Sequence, residues 1–186
     1  CVNFDPVFAE LSYQGVPDIR VIVFLGVPVM SMVRLPTRMS GGKANLHQGA
    51  IGAGIDIASG KTLTAVWKDN IVSEHPDTGN PVSGIKIPNW ENLLKIAARC
   101  NALTGLGYIG VDLVLDKAKG PLILEINARP GLTAEIKSGL SNFLRTDSSH
   151  CPLETLQFIS AADASKNFSG VSCNRMASFR LKPCSA

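Results

Sequence analysis

The sequence lacks any long hydrophobic run. Its longest apolar stretch, Val21 to Val33, is too short to span a bilayer and is interrupted by Gly26 and Pro28. No basic segment followed by an apolar core occurs near Cys1, so we expect neither a signal peptide nor membrane association. The net charge of +3 is too small to indicate binding to nucleic acid.

Cysteine pairs with the spacing of a metal or redox motif are also missing. The five cysteines are odd in number and show no C-x-x-C pattern, and Cys100 falls on the apolar side of a predicted helix. We therefore expect a reduced chain in the cytoplasm. A length of 186 residues suffices for one domain with a full core, or for one lobe of a larger protein.

Common catalytic motifs are absent as well. The sequence contains no G-x-x-x-x-G-K-[ST] phosphate loop and no supported Ser-His-Asp or Cys-His arrangement. His47 lies in a polar loop, where a lone histidine is more often a hydrogen-bonding group than a base. The segment Ser40-Gly41-Gly42-Lys43 is rich in glycine, so its backbone could approach a phosphate closely.

The apolar patterning predicts a sheet built from hairpins. Three pairs of β-rich segments are each joined by a short turn: Asp18 to Leu25 with Val27 to Leu35, Ile51 to Ile57 with Lys61 to Trp67, and Tyr108 to Leu115 with Pro121 to Ile126. Trp90 to Thr104 carries apolar residues at helical spacing, with Asn89 as its N-cap and Gly105 at its end. We therefore predict an α+β lobe, an antiparallel sheet of hairpins with this helix packed on one side.

The third hairpin carries the strongest chemical signal. If Asp116 pairs with Pro121, then Leu113 faces Leu124 and Asp112 lies directly opposite Glu125. Alternation along the strand places Asn127 on the same face as Glu125. Opposed carboxylates destabilise a sheet unless a cation lies between them, and two carboxylates plus an amide oxygen suit Mg²⁺. The alternative is that both acids simply face solvent.

Cationic residues accompany this pair of acids. Arg20 and Arg34 lie on the first hairpin, Arg38 and Lys43 in the loop after it, and Arg129 beside the acidic strand. Arginine presents a planar fork that suits phosphate or carboxylate, and lysine a compact charge. Each of these is individually more often a solvated surface charge, but together they are typical of a site for a phosphate-bearing ligand.

Several motifs in this order carry a family resemblance: Gly15-Val16-Pro17-Asp18-Ile19-Arg20, Lys43-Ala44-Asn45-Leu46-His47-Gln48-Gly49, His75-Pro76-Asp77-Thr78-Gly79, Gly110-Val111-Asp112, and Glu125 to Gly131. Together they resemble the ATP-grasp superfamily, and most closely its alpha-L-glutamate ligase-like proteins. The resemblance covers roughly Phe8 to Ala134. It implies ATP-dependent ligation of a carboxylate, such as that of glutamate or another amino acid, to an amine through an acyl-phosphate.

The resemblance also implies roles for individual residues. Two Mg²⁺ or Mn²⁺ ions would bind with ATP. The implied roles are metal binding by Asp112, Glu125 and Asn127, nucleotide binding by Asp18, Arg20, Lys43 and Asn45, and stabilisation of the acyl-phosphate or substrate carboxylate by Arg34 and Arg129. Lys43 stands where related glutamate ligases often have arginine.

Two departures from the family bear on the domain organisation. We expect residues 1–140 to be a partial ATP-grasp domain, its carboxy-terminal lobe, without the amino-terminal and adenine-clamping parts, and residues 141–186 to be a tail of uncertain structure. We also expect that a helix could form from Thr133 to Phe143. As this fragment the ligase lobe would be inactive. The alternatives are a non-enzymatic metal- or nucleotide-binding module, a degenerate remnant, or a purely structural domain.

Overall fold

The structure, a computed structural model, describes residues 2–130 and the pair Phe179–Arg180. These residues form a sheet of eight strands, with one α-helix, α1 (Trp90–Thr104), and two short 3₁₀ helices, Pro6–Leu11 and Leu46–Gln48. The strands in chain order are β1 (Asp18–Phe24), β2 (Val27–Leu35), β3 (Ile51–Ile55), β4 (Thr62–Trp67), β5 (Asn70–Val72), β6 (Tyr108–Asp116), β7 (Gly120–Asn127) and β8 (Phe179–Arg180).

The strands lie in the order β5-β4-β3-β2-β1-β6-β7-β8, and every neighbouring pair is antiparallel. The three predicted hairpins are confirmed as β1–β2, β3–β4 and β6–β7. Strands β1 and β6 join the first hairpin to the third, from Ile19 opposite Leu113 to Phe24 opposite Tyr108. The central strand β1 therefore brings Asp18 and Arg20 beside the acidic hairpin.

Two tight turns show how the hairpins close. Leu25 and Gly26 have φ angles of 48° and 84°, as a two-residue turn with left-handed backbone at both positions requires. Lys68 and Asp69 repeat this geometry at 49° and 67° and create β5, which the sequence did not predict. Without a glycine, that turn gives no clear sequence signal.

Helix α1 packs on one side of the sheet, as predicted. Its buried residues are Trp90, Leu93, Ala97 and Cys100. Each fully buried aliphatic side chain contributes about 1.5–3 kcal/mol through the apolar area removed from water. The α+β architecture is therefore confirmed.

The predicted ends of α1 are confirmed, but one of them by a different mechanism. Asn89 occupies the N-cap position in a left-handed conformation, with φ of 53°, and its side chain makes no capping hydrogen bond. Gly105 ends the helix at φ 67°, and its N–H donates to the carbonyl oxygen of Asn101. The C-terminal end thus follows the usual glycine signal.

The acidic hairpin has a different register near its turn from the one predicted. Asp116 pairs with Gly120 rather than Pro121, and Leu113 with Ile123 rather than Leu124. A β-bulge between Asp112 and Leu113 then shifts the register by one residue, so that Asp112 lies opposite Glu125 as predicted. The register predicted near the turn is wrong because Asp116 shortens the loop between the two strands. Its carboxylate accepts hydrogen bonds from the backbone N–H groups of Ala118 and Lys119, both at 2.9 Å.

The segment after residue 130 lies almost entirely outside the described residues. The helix expected from Thr133 to Phe143 and most of the expected tail fall there. Within the tail, Phe179–Arg180 forms β8 against β7, with Arg180 opposite Glu125 in the backbone pairing. Among the described residues, no helix has both the length and the apolar character needed to cross a membrane.

Candidate functional site

The sheet face opposite α1 carries a row of polar side chains. Residues directly opposite each other in a sheet share a face. Successive partners across β2, β1, β6 and β7 are Met32, Arg20, Asp112 and Glu125, which therefore form one row, polar except for the buried Met32 at its β2 end. The neighbouring residue Val21 is fully buried in the core on the other face, under α1. Alternation along the strands thus separates this polar row from the core.

A second row lies beside the first. Asp18 pairs with Arg34, and Arg34 pairs in turn with Gly52. Asp18 and Arg34 are two residues away from Arg20 and Met32 along their strands, so they share the polar face. The two rows bring two acids and two arginines together.

Asp112 is the centre of this cluster. Arg20 donates to both of its carboxylate oxygens, from Nε to Oδ1 and from Nη2 to Oδ2, each at 2.7 Å. The Nη2 of Arg34 lies 2.9 Å from Oδ2. The side-chain amide of Asn127 donates to Oδ2 at 3.3 Å. With 4% of its surface exposed, Asp112 is a buried carboxylate satisfied by two cations and an amide.

Asp18 holds the second arginine. Arg34 donates from Nε to Oδ1 of Asp18 at 2.6 Å and from Nη2 to Oδ2 at 2.5 Å. Both residues are buried. Arg34 therefore bridges Asp18 and Asp112, and the cluster of Asp18, Arg20, Arg34 and Asp112 carries no net charge when all four are ionised.

Burial and neighbouring charges act differently on the two acids. Burial raises the pKa of Asp18 to about 6, although the charge and hydrogen bonds of Arg34 act in the opposite direction. Burial also acts to raise the pKa of Asp112, but the hydrogen bonds of Arg20 and the charge of Arg34 outweigh it and hold that pKa below its usual value. Of the two, Asp18 is the acid that takes up a proton more readily.

Glu125 differs from both of these acids. It lies beside Asp112 on the same face and is half-buried. Within the part of the chain that the structure describes, no hydrogen bond or ion pair engages its carboxylate. Among the described side chains, Glu125 therefore adds one negative charge at the border of the neutral cluster.

The oxygen donors at this place suit a magnesium ion by type, but not in their present arrangement. Asp112, Glu125 and Asn127 share one face, as predicted from their spacing. However, Asp112 is buried rather than open, and its oxygens are engaged by arginine and amide N–H groups. Across residues 2–130, no three His, Cys, Asp or Glu side chains are grouped as a metal site. Any site here would combine two carboxylates with the amide of Asn127.

The loop that carries Lys43 and Asn45 lies at the edge of the polar face. Its Leu46 side chain covers Gly52, where an added Cβ would lie 3.2 Å from the Leu46 Cδ2. Lys43 and Asn45 are both exposed. The side chain of Asn45 accepts a hydrogen bond from the backbone N–H of His47, so it caps the following 3₁₀ helix. Neither residue contacts the acid–arginine cluster in the described structure.

The backbone N–H groups of the glycine-rich turn in this loop donate hydrogen bonds to carbonyl oxygens of the same loop. The N–H groups of Gly41, Gly42 and Lys43 donate to the carbonyl oxygens of Arg38, Thr37 and Ser40, at 3.1, 3.2 and 3.2 Å. In the observed conformation these donors bond within the turn, and the close approach of this backbone to a phosphate stays a prediction. The side chain of Lys43 remains available as a charge.

His75 is a residue whose role the sequence did not reveal. It is 1% exposed, its Nε2 lies 3.0 Å from the carbonyl oxygen of Pro36, and its Nδ1 accepts from the N–H of Asp77 at 3.3 Å. The carboxylate of Asp77 in turn accepts from the N–H of Arg38 at 2.7 Å. The His-Pro-Asp-Thr-Gly motif thus fastens the start of the loop after β2. The turn-forming residues of this motif predict a loop, but they do not predict that it packs against the loop after β2.

Arg129 follows β7 at an exposed position. The adjoining Pro130 lies against Gly110, where an added Cβ would lie 2.6 Å from the Pro130 Cβ. Gly110 pairs with Asn127 on the polar face. The absence of a side chain at Gly110 therefore lets the chain after β7 pass across this face.

The comparison with known families agrees with the arrangement of these motifs. Residues 1–148 match the model of the family described as sugar-transfer associated ATP-grasp. The chain belongs to this ATP-grasp family. Membership gives the chain a ligase-type fold and confirms the superfamily to which its motifs point. The closer likeness to glutamate ligases stays a prediction.

No curated protein matches this ATP-grasp chain. Among solved structures it is similar to one described as "Structure of ATP-grasp ligase PsnB complexed with minimal precursor", with 16% sequence identity and a TM-score of 0.34. The match covers 72% of this chain and 35% of that chain. The ATP-grasp chain thus spans about a third of the length of that ligase.

Proposed function

We propose that this chain is the metal- and phosphate-binding lobe of an ATP-dependent carboxylate–amine ligase. In the reaction, a substrate carboxylate attacks the γ-phosphorus of ATP, the bond to ADP breaks, and an acyl-phosphate forms. An amine then attacks the acyl carbon, and an amide, inorganic phosphate and a proton are released. We propose an amino acid, glutamate being one candidate, as the carboxylate substrate.

The observation that carries this proposal is the position of Glu125. Its carboxylate lies directly opposite that of Asp112, and no described side chain pairs with it, so a cation bound between the two acids would stabilise the sheet. ATP-grasp proteins in general use Mg²⁺, which prefers hard oxygen donors such as Asp112, Glu125 and Asn127. When bound there, the ion would neutralise charge on the phosphates of the nucleotide.

The arginines and the loop residues supply the remaining roles. Arg34 and Arg129 would stabilise negative charge on the acyl-phosphate or on the substrate carboxylate. Arg20 would donate its planar fork to a phosphate, while Asp18 would orient Arg34 and lie beside the nucleotide. Lys43 and Asn45 lie in the exposed loop at the edge of the polar face, where they would meet the nucleotide phosphates.

Binding of an ATP analogue tests this function directly. We expect calorimetric titration of the 186-residue chain with a non-hydrolysable ATP analogue and Mg²⁺ to show weak binding that Glu125→Gln removes. Glu91→Gln is the matched control, because Glu91 is an exposed carboxylate on α1, on the other side of the sheet. Binding unaffected by Glu125→Gln would contradict the assigned role of the polar face.

Turnover separates the ligase from a non-enzymatic binding module. ADP release should depend on both an amino acid and an amine acceptor, and we expect little of it from the 186-residue chain alone. Orientation of the reactants lowers the barrier by about 7 kcal/mol or more in well-placed systems. We expect the polar face to contact only the phosphate end of the nucleotide, which limits that contribution. The assay is therefore made on this chain and on the chain extended by any residues encoded before Cys1. An extended protein that binds ATP but stays silent across a panel of amino acids would favour the binding module.

A further inference from the structure

We propose that Arg20 occupies the place of a metal ion on Asp112, so that the site accepts a divalent cation only together with a polyphosphate that takes over Arg20. This inference rests on the proposed function, because it concerns the same polar face. It adds a condition on binding. The site does not bind the cation alone, but it binds the cation together with its anionic ligand.

The coordination of Asp112 is the first argument. An ionised carboxylate has about four lone-pair positions. Four N–H groups already point to Asp112: Nε and Nη2 of Arg20, Nη2 of Arg34 and the amide of Asn127. Three of these donors lie at Oδ2 and one, the Nε of Arg20, lies at Oδ1. A cation therefore gains Oδ2 as a ligand only if a donor leaves, and at Oδ1 it would lie against the positive charge of Arg20.

The second argument identifies which donor can leave. Arg34 is held from the other side by two hydrogen bonds to Asp18. Among the described residues, the guanidinium of Arg20 has Asp112 as its only partner. The Arg20 side chain is 16% exposed and that of Arg34 11%. Arg20 is thus both the less restrained and the more accessible of the two arginines.

The third argument concerns the ligand that would receive Arg20. A guanidinium fork can form two parallel hydrogen bonds with the oxygens of a carboxylate or with two oxygens of a phosphate. Release into water would leave the charge of Arg20 solvated but would strip Asp112 of two strong hydrogen bonds. A polyphosphate that binds together with a cation replaces both lost interactions. The phosphate accepts hydrogen bonds from Arg20, and the cation binds Asp112 and Glu125. The chemical class of ligand is therefore a metal-bound polyphosphate.

Mn²⁺ provides a direct probe of this exchange. Its paramagnetism broadens amide signals near the bound ion in an NMR spectrum of the 186-residue chain, and the signals of Gly110 and Asn127 report on the polar face. We expect Mn²⁺ alone to broaden these signals at least tenfold more weakly, at equal concentration, in the wild-type chain than in Arg20→Gln. Adding Asp112→Asn to Arg20→Gln should abolish the gain.

A second arm supplies the anion. Wild-type chain titrated with Mn²⁺ and an equimolar amount of tripolyphosphate should show broadening at Gly110 and Asn127 that neither component causes alone. Arg20→Lys keeps a positive charge but cannot form two parallel hydrogen bonds. It should bind Mn²⁺ with intermediate affinity, and it carries the test if Arg20→Gln does not give a folded spectrum.

The outcomes separate this inference from the function beneath it. Equal binding of Mn²⁺ by the wild type and by both Arg20 variants would overturn the exclusion by Arg20 and leave the metal site in place. Failure of every variant to bind Mn²⁺, with or without tripolyphosphate, would overturn the metal site and the inference together. Tight Mn²⁺ binding in Arg20→Gln that persists after Asp112→Asn would place the ion elsewhere and also refute the exchange.

Discussion

Arg34 joins Asp18 in a two-point ion pair on neighbouring strands, with both nitrogen–oxygen distances at 2.5–2.6 Å. Both residues are buried, and Arg34 also reaches Asp112. A buried charge that loses its partner costs far more than a pair that is removed together. Removing one partner should therefore lower the free energy of unfolding more than removing both.

We expect Asp18→Leu to destabilise the fold by about 3–5 kcal/mol, because it leaves part of the charge of Arg34 uncompensated. The double variant Asp18→Leu/Arg34→Met should recover much of that loss, since Arg20 still compensates Asp112. Urea unfolding of both variants measures the difference. A double variant less stable than Asp18→Leu would show that the pair does not act as a unit.

His75 should matter through the loop that it holds. We expect His75→Leu to cost about 1–3 kcal/mol, because it removes two hydrogen bonds, one to the carbonyl oxygen of Pro36 and one from the N–H of Asp77, each worth about 0.5–1.5 kcal/mol. Amide hydrogen exchange in residues 37–49 should accelerate as this loop loosens. His47→Leu is the matched control, because His47 is exposed. Equal effects of the two substitutions would rule out the fastening role of His75.

The carboxylate of Asp116 should make the free energy of unfolding depend on pH. Backbone hydrogen bonds from Lys119, Ala118 and Asn3 hold its pKa below the ordinary value of 3.8. A lowered pKa in the folded state stabilises the fold above the unfolded pKa, and this contribution is lost as the pH falls through the folded value. Asp116→Asn should therefore be less stable than wild type at pH 7, and the difference should shrink below pH 3.8.

Denaturant unfolding of both chains at a series of pH values checks this prediction. Glu10→Gln, at an exposed position, controls for the loss of one negative charge. If the difference between wild type and Asp116→Asn grew on acidification, the hydrogen-bonded carboxylate of Asp116 would not be the cause.

Gly15 tests the contact between the amino-terminal segment and the glycine-rich turn. A Cβ at this position would lie 1.8 Å from the carbonyl oxygen of Gly42, which is backbone and cannot rotate away. We expect Gly15→Ala to destabilise the protein by about 1–3 kcal/mol or more through overpacking. In Gly41→Ala the added Cβ meets no atom within 4 Å, so only the left-handed φ of 61° opposes it, at about 1 kcal/mol. Thermal unfolding should rank Gly15→Ala below Gly41→Ala.

The large elements of the fold follow from local patterns in the sequence. Alternation and turn residues predict the three hairpins, and the apolar spacing from Trp90 to Thr104 predicts α1 with its end at Gly105. Strand β5 does not follow, because its turn at Lys68 and Asp69 adopts left-handed backbone without glycine. The joining of β1 to β6 is a long-range contact, and periodicity carries no information about it.

The sequence predicts that Asp112, Glu125 and Asn127 share one face, but not how the charged residues around them pair. Spacing and family resemblance selected Asp112, Glu125 and Asn127, and the register places them on one face. They do not reveal that Arg20 and Arg34 pair with acids, because that depends on which strands become neighbours. The assigned roles in metal and nucleotide binding stay predictions.

The β-bulge in the acidic hairpin has a consequence for sequence comparison. Leu124 is the residue left over when the ladder shifts between the Leu113–Ile123 and Asp112–Glu125 pairs. A relative with a regular hairpin and the same turn would need one residue fewer in this strand. A gapless alignment with such a relative would assign Glu125 to a core position. Homologues should therefore be aligned with a one-residue gap at Leu124 before any acid in this strand is judged present or lost.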